Sequence, residues 1–191
     1  MFNYEPVIHR VKAPPSKDTF TIKPIRALLD KYMKYGGTWV DPFAGYNSPA
    51  QITNDMDSKT PALFHMEAVE FCSLLPDSYD GILVDPPYSY RQISEHYKDK
   101  GVKATYKDTS YNFYGRVYNM IAPKIKQGGL AISFGWNSCG LGVKHGFYPV
   151  EVLLVCHGLH HNDTICTVEI KLTKADSLAS TSTATLLPET R

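Results

Sequence analysis

The stretch from Asp80 to Tyr88, DGILVDPPY, constrains this chain more than any other. Ile82-Leu83-Val84 is a short apolar run bounded by turn formers, which reads as a strand buried on both faces of a parallel sheet. It runs into Asp85-Pro86-Pro87-Tyr88. Two successive prolines remove two N–H donors and fix φ, so no regular element continues through them. The expected result is a rigid loop at the carboxyl end of a strand, where open α/β sheets bind ligands. The loop offers a carboxylate, prolyl carbonyls with no reason to be paired internally, and an aromatic face. Acceptors of that kind hold an NH2 group while the tyrosine stacks on a ring, so the parts suit a planar amine. A structural strand-end turn is the simpler alternative, and a bare Pro-Pro pair would favour it. A hydrophobic strand entering Asp-Pro-Pro-Tyr favours binding.

An upstream stretch has the same build. Thr38 to Val40 read as a strand opening into Asp41-Pro42-Phe43-Ala44-Gly45, where a glycine lets backbone approach a ligand closely. Before it, Ile22 to Lys34 predict a helix, with Pro24 in the first turn and an apolar stripe at Ile25, Leu28, Leu29, Tyr32 and Met33. Gly36-Gly37 ends that helix. Only Tyr46 to Thr53 separate Gly45 from the acidic Asn54-Asp55-Met56-Asp57. A parallel crossover needs a dozen or more residues, so this connection is expected to be short or non-helical, with Asn47 free to adopt a left-handed turn conformation. Ala62 to Met66 read as a further strand leading to Glu67, and Val69 to Leu75 as a short helix. Later strands are expected at Leu130 to Phe134, Phe147 to His157 and Ile165 to Leu172. The joint between the last two is too short for a crossover, so they should pair antiparallel.

Ser89 to Lys126 differs from its surroundings, with eight Lys/Arg against three acids and seven interleaved Tyr/Phe. Basic groups for phosphates and aromatic faces for bases suit a nucleic-acid surface. The expected contacts are Tyr90, Arg91, Lys98, Lys100, Lys103 and Lys107, joined by Trp136 and Asn137 from the glycine-rich loop Gly135 to Gly142. A loop to about Ser110 and a helix from about Tyr111 to Lys124 account for the same stretch structurally.

Asp85-Pro86-Pro87-Tyr88 resembles motif IV, (D/N/S)-PP-(Y/F), of the amino-methyltransferases that use S-adenosylmethionine (SAM), in the version of the DNA adenine-N6 members. Asp41-Pro42-Phe43-Ala44-Gly45 is similar to their motif I, although Asn47 stands where a second glycine is usual. Phe20 and Lys23-Pro24 resemble motif X, and His65-Met66-Glu67-Ala68 resembles motif III. The resemblance covers about Phe20 to Leu172 and implies an α/β, Rossmann-like class I SAM methyltransferase fold, mostly parallel with a C-terminal antiparallel strand pair. It implies SAM binding by Phe20, Lys23, Pro24, Asp41, Pro42, Phe43, Gly45, Asp55, Glu67 and Asp85. It implies catalysis by Asp85, Pro86, Pro87 and Tyr88 on the N6 amine of an adenine flipped from DNA. Cytosine N4, an amine in RNA or protein, and an inactive SAM- or nucleic-acid-binding subunit remain the alternatives.

The rest bounds the setting. At 191 residues with 43% hydrophobic and 20% charged content, the chain reads as one globular domain spanning 20–172, with an N-terminal arm at 1–19 and a Ser/Thr/Ala-rich, disordered tail at 173–191. No run is long and apolar enough for a membrane helix, and no signal-peptide pattern opens the chain. Four scattered cysteines without a CxxC pair suggest reduced thiols and a cytoplasmic setting. His157, His160, His161 and Asp163 fit no zinc spacing and read as polar loop residues, so no metal is expected. No span is left for a separate target-recognition domain. A monomer should therefore read a short or relaxed DNA site, with a homodimer or partner subunit as the route to a longer one.

Overall fold

The structure, a computed structural model, describes residues 5–87, 112–158, 160–172 and 176. Seven strands form one sheet: β1 (Val7–Lys12), β2 (Trp39–Asp41), β3 (Ile52–Thr53), β4 (Tyr79–Val84), β5 (Ile125–Gly135), β6 (Phe147–Cys156) and β7 (Thr164–Lys171). The helices are α1 (Lys23–Met33), α2 (Ala68–Leu74) and α3 (Asn112–Ile121). The sheet order is β1-β6-β7-β5-β4-β2-β3. All neighbours are parallel except β7, which runs antiparallel to both β5 and β6. The mostly parallel sheet with a C-terminal antiparallel pair is therefore present.

Strand β4 shows why its sequence is an unbroken apolar run. Ile82 and Val84 point into one core, with Phe71 and Cys72 of α2 and Phe113, Val117 and Ile121 of α3. Leu83 points into the other, with Ile25, Leu28 and Leu29 of α1 and with Ile132, Phe134 and Val168. Alternate side chains of one strand thus feed two cores on opposite faces. At roughly 1.5–3 kcal/mol for each fully buried large aliphatic residue, this central strand is a main source of stability.

Two stretches depart from expectation at opposite edges of the sheet. Residues 7–12, expected to belong to an arm or loop, form β1 and pair parallel with β6 from Val7↔Glu151 to Lys12↔Cys156. Val11 packs on the α1-side core, and His9, Lys31 and Tyr32 converge on the buried Glu151 carboxylate. At the far end of β1, His157 lies 2.9 Å from the Ala13 carbonyl and 2.9 Å from Thr164 Oγ1, so its ring ties β1 to the β6–β7 joint. The expected strand at Ala62 to Met66 shrinks to a single parallel bridge, Asn54↔Phe64. The nine residues between them cannot make a helical crossover, and the chain turns tightly at Asp57 to Thr60 instead.

The parallel directions place the carboxyl ends of β2, β3, β4 and β5 on one edge of the sheet. After β3 the chain passes back over β2 to β4. The reversal point therefore lies between β2 and β4, where ligand crevices form in open α/β sheets.

Candidate active site

The loop after β2 is built around a buried carboxylate. Asp41 is fully buried; it accepts the Phe43 N–H at 2.9 Å and the Ser48 hydroxyl at 2.6 Å. Burial pushes its pKa up to about 7, against the pull of those two bonds and with a further push from Asp85 and Asp55. Gly45, at φ +54, makes the turn a side chain would strain. Its N–H donates to Asp55 Oδ2 at 3.0 Å, and Asp57 N–H donates to Asp55 Oδ1 at 2.7 Å. No helix follows β2, as the short spacing required. Asn47 is not in the left-handed region, where Ser78 is the one non-glycine among the described residues. Its side-chain amide instead donates to Asp18.

Asn54, which sequence reasoning passed over, stitches this region together. Its amide donates to the carbonyls of Pro42 and Met66 at 3.1 Å each and accepts the Met66 N–H at 3.1 Å. The loops after β2 and β3 and the start of α2 thereby enclose a cavity of about 270 Å³ lined by Lys17, Pro42, Phe43, Gly45, Asn54, Asp55, Met56, Met66, Glu67, Ala68, Asp85, Pro87 and Phe113. Glu67 caps α2 through Oε2, which accepts from Val69 and Glu70 N–H, while its buried Oε1 has no partner among the described residues.

Residues 18–21, just before α1, act as a brace rather than a lining. Asp18 caps the 3-10 turn Thr19–Thr21, and the Thr19 hydroxyl hydrogen-bonds Asp85. Phe20 packs edge-on against Phe134, with centroids 5.4 Å apart. Phe20, Lys23, Pro24 and Asp41, all expected to hold a cofactor, do not line the cavity. Phe20 and Asp41 are buried, Lys23 is exposed, and Pro24 sits in the first turn of α1. Pro42, Phe43, Gly45, Asp55, Glu67 and Asp85 do line it, together with the unforeseen Lys17.

Asp85-Pro86-Pro87 is a wall between two cavities. Asp85 and Pro87 face the first. Pro86 faces a second, of about 130 Å³, with Tyr114 and Tyr118 of α3, Ser133 to Gly135 of β5, and Trp136, Asn137 and Gly140 of the following loop. The Tyr114 hydroxyl donates to the Pro87 carbonyl and fixes the wall from α3. Burial pushes the Asp85 pKa up to about 7, opposed by the Thr19 hydrogen bond and reinforced by the charge of Asp18. Ser133 is 8% exposed, and its Oγ has no hydrogen-bond partner among the described residues. The loop that carries Trp136 and Asn137 is anchored from β7. Glu169, 1% exposed, accepts the N–H groups of Leu141 at 2.7 Å and Gly142 at 2.9 Å.

Tyr88, Tyr90, Arg91, Lys98, Lys100, Lys103 and Lys107 lie outside the described residues. Of the expected nucleic-acid contacts, Trp136 and Asn137 are placed, both on the rim of the second cavity. Tyr114, Tyr118 and Ser133 were not singled out as site residues. The spacing of the two tyrosines, one helical turn apart on α3, was the available signal.

No protein-family model matches the sequence, and no curated protein matches it with significance. Solved structures match in shape. TrmN from Thermus thermophilus superposes with a TM-score of 0.53 at 16% identity, covering 79% of this chain and 49% of that one. The chain thus spans about half the length of TrmN. The 1,6-didemethyltoxoflavin-N1-methyltransferase of Burkholderia thailandensis, with S-adenosylhomocysteine bound, gives 0.53 at 13% identity over 79% of this chain and 78% of that one. N-methyltransferase NodS from Bradyrhizobium japonicum gives 0.54 at 9% identity over 79% and 96%. The chain has the Rossmann-like fold of the class I SAM-dependent methyltransferases.

Proposed function

We propose that this protein transfers a methyl group from SAM to the exocyclic N6 of an adenine flipped out of DNA. The observation that carries the reading is the Asp85-Pro86-Pro87 wall, with a larger acid-lined cavity on one side and a smaller aromatic one on the other. Two adjoining cavities suit methyl transfer to an amine, because in-line displacement brings the nitrogen to the methyl carbon from the side opposite the sulfur. The donor set of the larger cavity fits SAM. Asp55 and the unpartnered Oε1 of Glu67 suit ribose hydroxyls or an adenine amine. Phe43, Met56, Met66 and Phe113 offer apolar faces to a ring, and Lys17 a cation to a carboxylate. The bound S-adenosylhomocysteine of the toxoflavin-type neighbour, which shares the fold, supports the same choice. When bound, SAM supplies an electrophilic methyl group.

The chain's own residues do the rest by positioning. The Asp85 carboxylate and the Pro86 carbonyl accept the two N6 hydrogens, which turns the nitrogen lone pair toward the larger cavity. Tyr88 stacks on the ring. Thr19 holds the carboxylate from behind, and Tyr114 holds the Pro87 carbonyl, so the wall does not yield. Alignment of this kind is worth about 7–11 kcal/mol of barrier. The proton displaced from nitrogen passes to Asp85, whose pKa near 7 allows it to take and release one. The basic, aromatic stretch after Tyr88 supplies phosphate and base contacts to the DNA.

The test is a filter assay with tritiated SAM and DNA, followed by nucleoside mass spectrometry. Labelled N6-methyladenine is expected. Label only in cytosine would change the acceptor and keep the chemistry. No transfer to DNA, together with no heat of SAM binding, would defeat the proposal.

A further inference from the structure

Ser133 is a buried residue whose hydroxyl has no hydrogen-bond partner among the described residues. It lies on β5 beside Val84, one residue before Asp85 on the neighbouring strand, and lines the small cavity that Pro86 walls. The other polar groups there are largely committed: Tyr114 donates to Pro87, Asn137 Oδ1 accepts the Cys139 N–H at 3.0 Å, and Trp136 and Asn137 stand on the exposed rim. Native proteins satisfy nearly all buried polar groups, and Ser133 lines this cavity with a side-chain oxygen that lacks a partner among the described residues. From this geometry we propose that Ser133 is the acceptor-reading residue, its Oγ–H donating to the ring nitrogen next to the amine-bearing carbon of the bound heterocycle.

The chemistry follows from the proposed function, on which this inference rests. Asp85 and Pro86 are acceptors and claim both amine hydrogens. In adenine the next atom along that edge is N1, an acceptor, and it needs a donor. The Ser133 hydroxyl supplies one. A base with N–H and a carbonyl oxygen at those two positions, as in guanine or hypoxanthine, meets two acceptors with its oxygen and is refused. Specificity of this type comes from polar groups left unpaired by the wrong ligand. Thr167, the cross-strand partner of Ser133, also has a hydroxyl without a partner among the described residues, but it is 1% exposed and does not line the cavity. It serves as the control.

The experiment compares wild type, Ser133→Ala and Thr167→Val on oligonucleotides carrying adenine, 1-deazaadenine or 7-deazaadenine at the methylated position. Ser133→Ala is expected to lower kcat/KM on adenine about tenfold, the loss of one net hydrogen bond. That loss should vanish on 1-deazaadenine, which lacks N1, and persist on 7-deazaadenine. The melting temperature of Ser133→Ala should stay level or rise, because an unsatisfied buried group is removed. Thr167→Val should match wild type on all three bases. Wild-type transfer with an unchanged Ser133→Ala, an equal loss on 1-deazaadenine, or a lowered melting temperature would each overturn the inference alone. A wild-type protein that methylates none of the bases would overturn the proposed function and this inference with it.

Discussion

Asp85 faces two demands at once. On the proposed reaction it must be an anion to take the amine proton, yet burial and the charge of Asp18 push its pKa up to about 7. If the ionised form is the active one, kcat/KM should rise about tenfold per pH unit below 7 and level off above it, since that parameter reports the free enzyme. Asp85→Ala should abolish transfer and leave SAM affinity nearly intact; wild-type turnover by the variant would move the chemistry elsewhere. Asp41 has a similar pKa but makes a different contribution. Its folded pKa exceeds the unfolded one, so between pH 4 and 7 the folded state binds the extra proton. The stability contributed by the protonated carboxyl is full below pH 4 and is lost as pH rises to 7. Asp41→Asn should flatten that part of the profile, which urea unfolding at pH 4.5 and pH 7.5 would detect. Residues of this kind differ in how plainly a sequence announces them. Asp85 and Asp41 stand before prolines at strand ends, and a strand followed by Asp-Pro is legible. Asn54, Glu67 Oε1 and Ser133 matter through what lies across from them in space, which no local pattern encodes.

Among the elements, those with a strong period were readable and those defined by their partners were not. Helix α1 and strands β4 to β7 carry runs of apolar residues that only a buried element explains. Strand β1, with the sequence VIHRVK, has two apolar residues exposed by more than half and exists because an edge of β6, some 140 positions away, is free to pair. The strand expected at Ala62 to Met66 had the composition of one but lacked the length of connection to be laid down. The loop after β5 shows how an element becomes a site. Glu169 holds it by two N–H groups, and Gly140, at φ +53, lies so close that a Cβ would fall 2.2 Å from Glu169 Oε2. Gly140→Ala therefore faces a conformational cost of about 1–2 kcal/mol and a clash with a buried carboxylate. The expected outcome is a melting temperature lower by several degrees, SAM binding within twofold of wild type, and transfer reduced at least tenfold as Trp136 and Asn137 shift. Loss of SAM binding in step with transfer would mean that the loop supports both cavities equally.

At the scale of the molecule, the proposed reaction on DNA raises the question of what would attract the polyanion. The chain's net charge of +1 gives no general attraction. Five of its twenty Lys/Arg, namely Arg91, Lys98, Lys100, Lys103 and Lys107, fall in the segment between β4 and α3, and both ends of that segment are at the site. Pro87 precedes it and lines the larger cavity; Phe113 follows it and lines the same cavity, and Tyr114 lines the smaller one. Lys100, Lys103 and Lys107 belong to this segment and are the proposed phosphate contacts. Phosphate contacts position a protein without reading sequence, and each is worth about 0.9 in the slope of log K against log salt. Changing all three lysines to glutamine should flatten that slope by about 3 and weaken binding alike on unrelated duplexes. Base reading would fall to the few side chains on the same segment and on the rim of the second cavity. Mismatches that cost about 1–3 kcal/mol each then allow only a short or relaxed site for a monomer. Mapping of methylated positions by sequencing decides this. A strict site of about six base pairs for a protein shown to be monomeric would contradict it, as would a lysine triple variant whose loss of affinity depended on sequence.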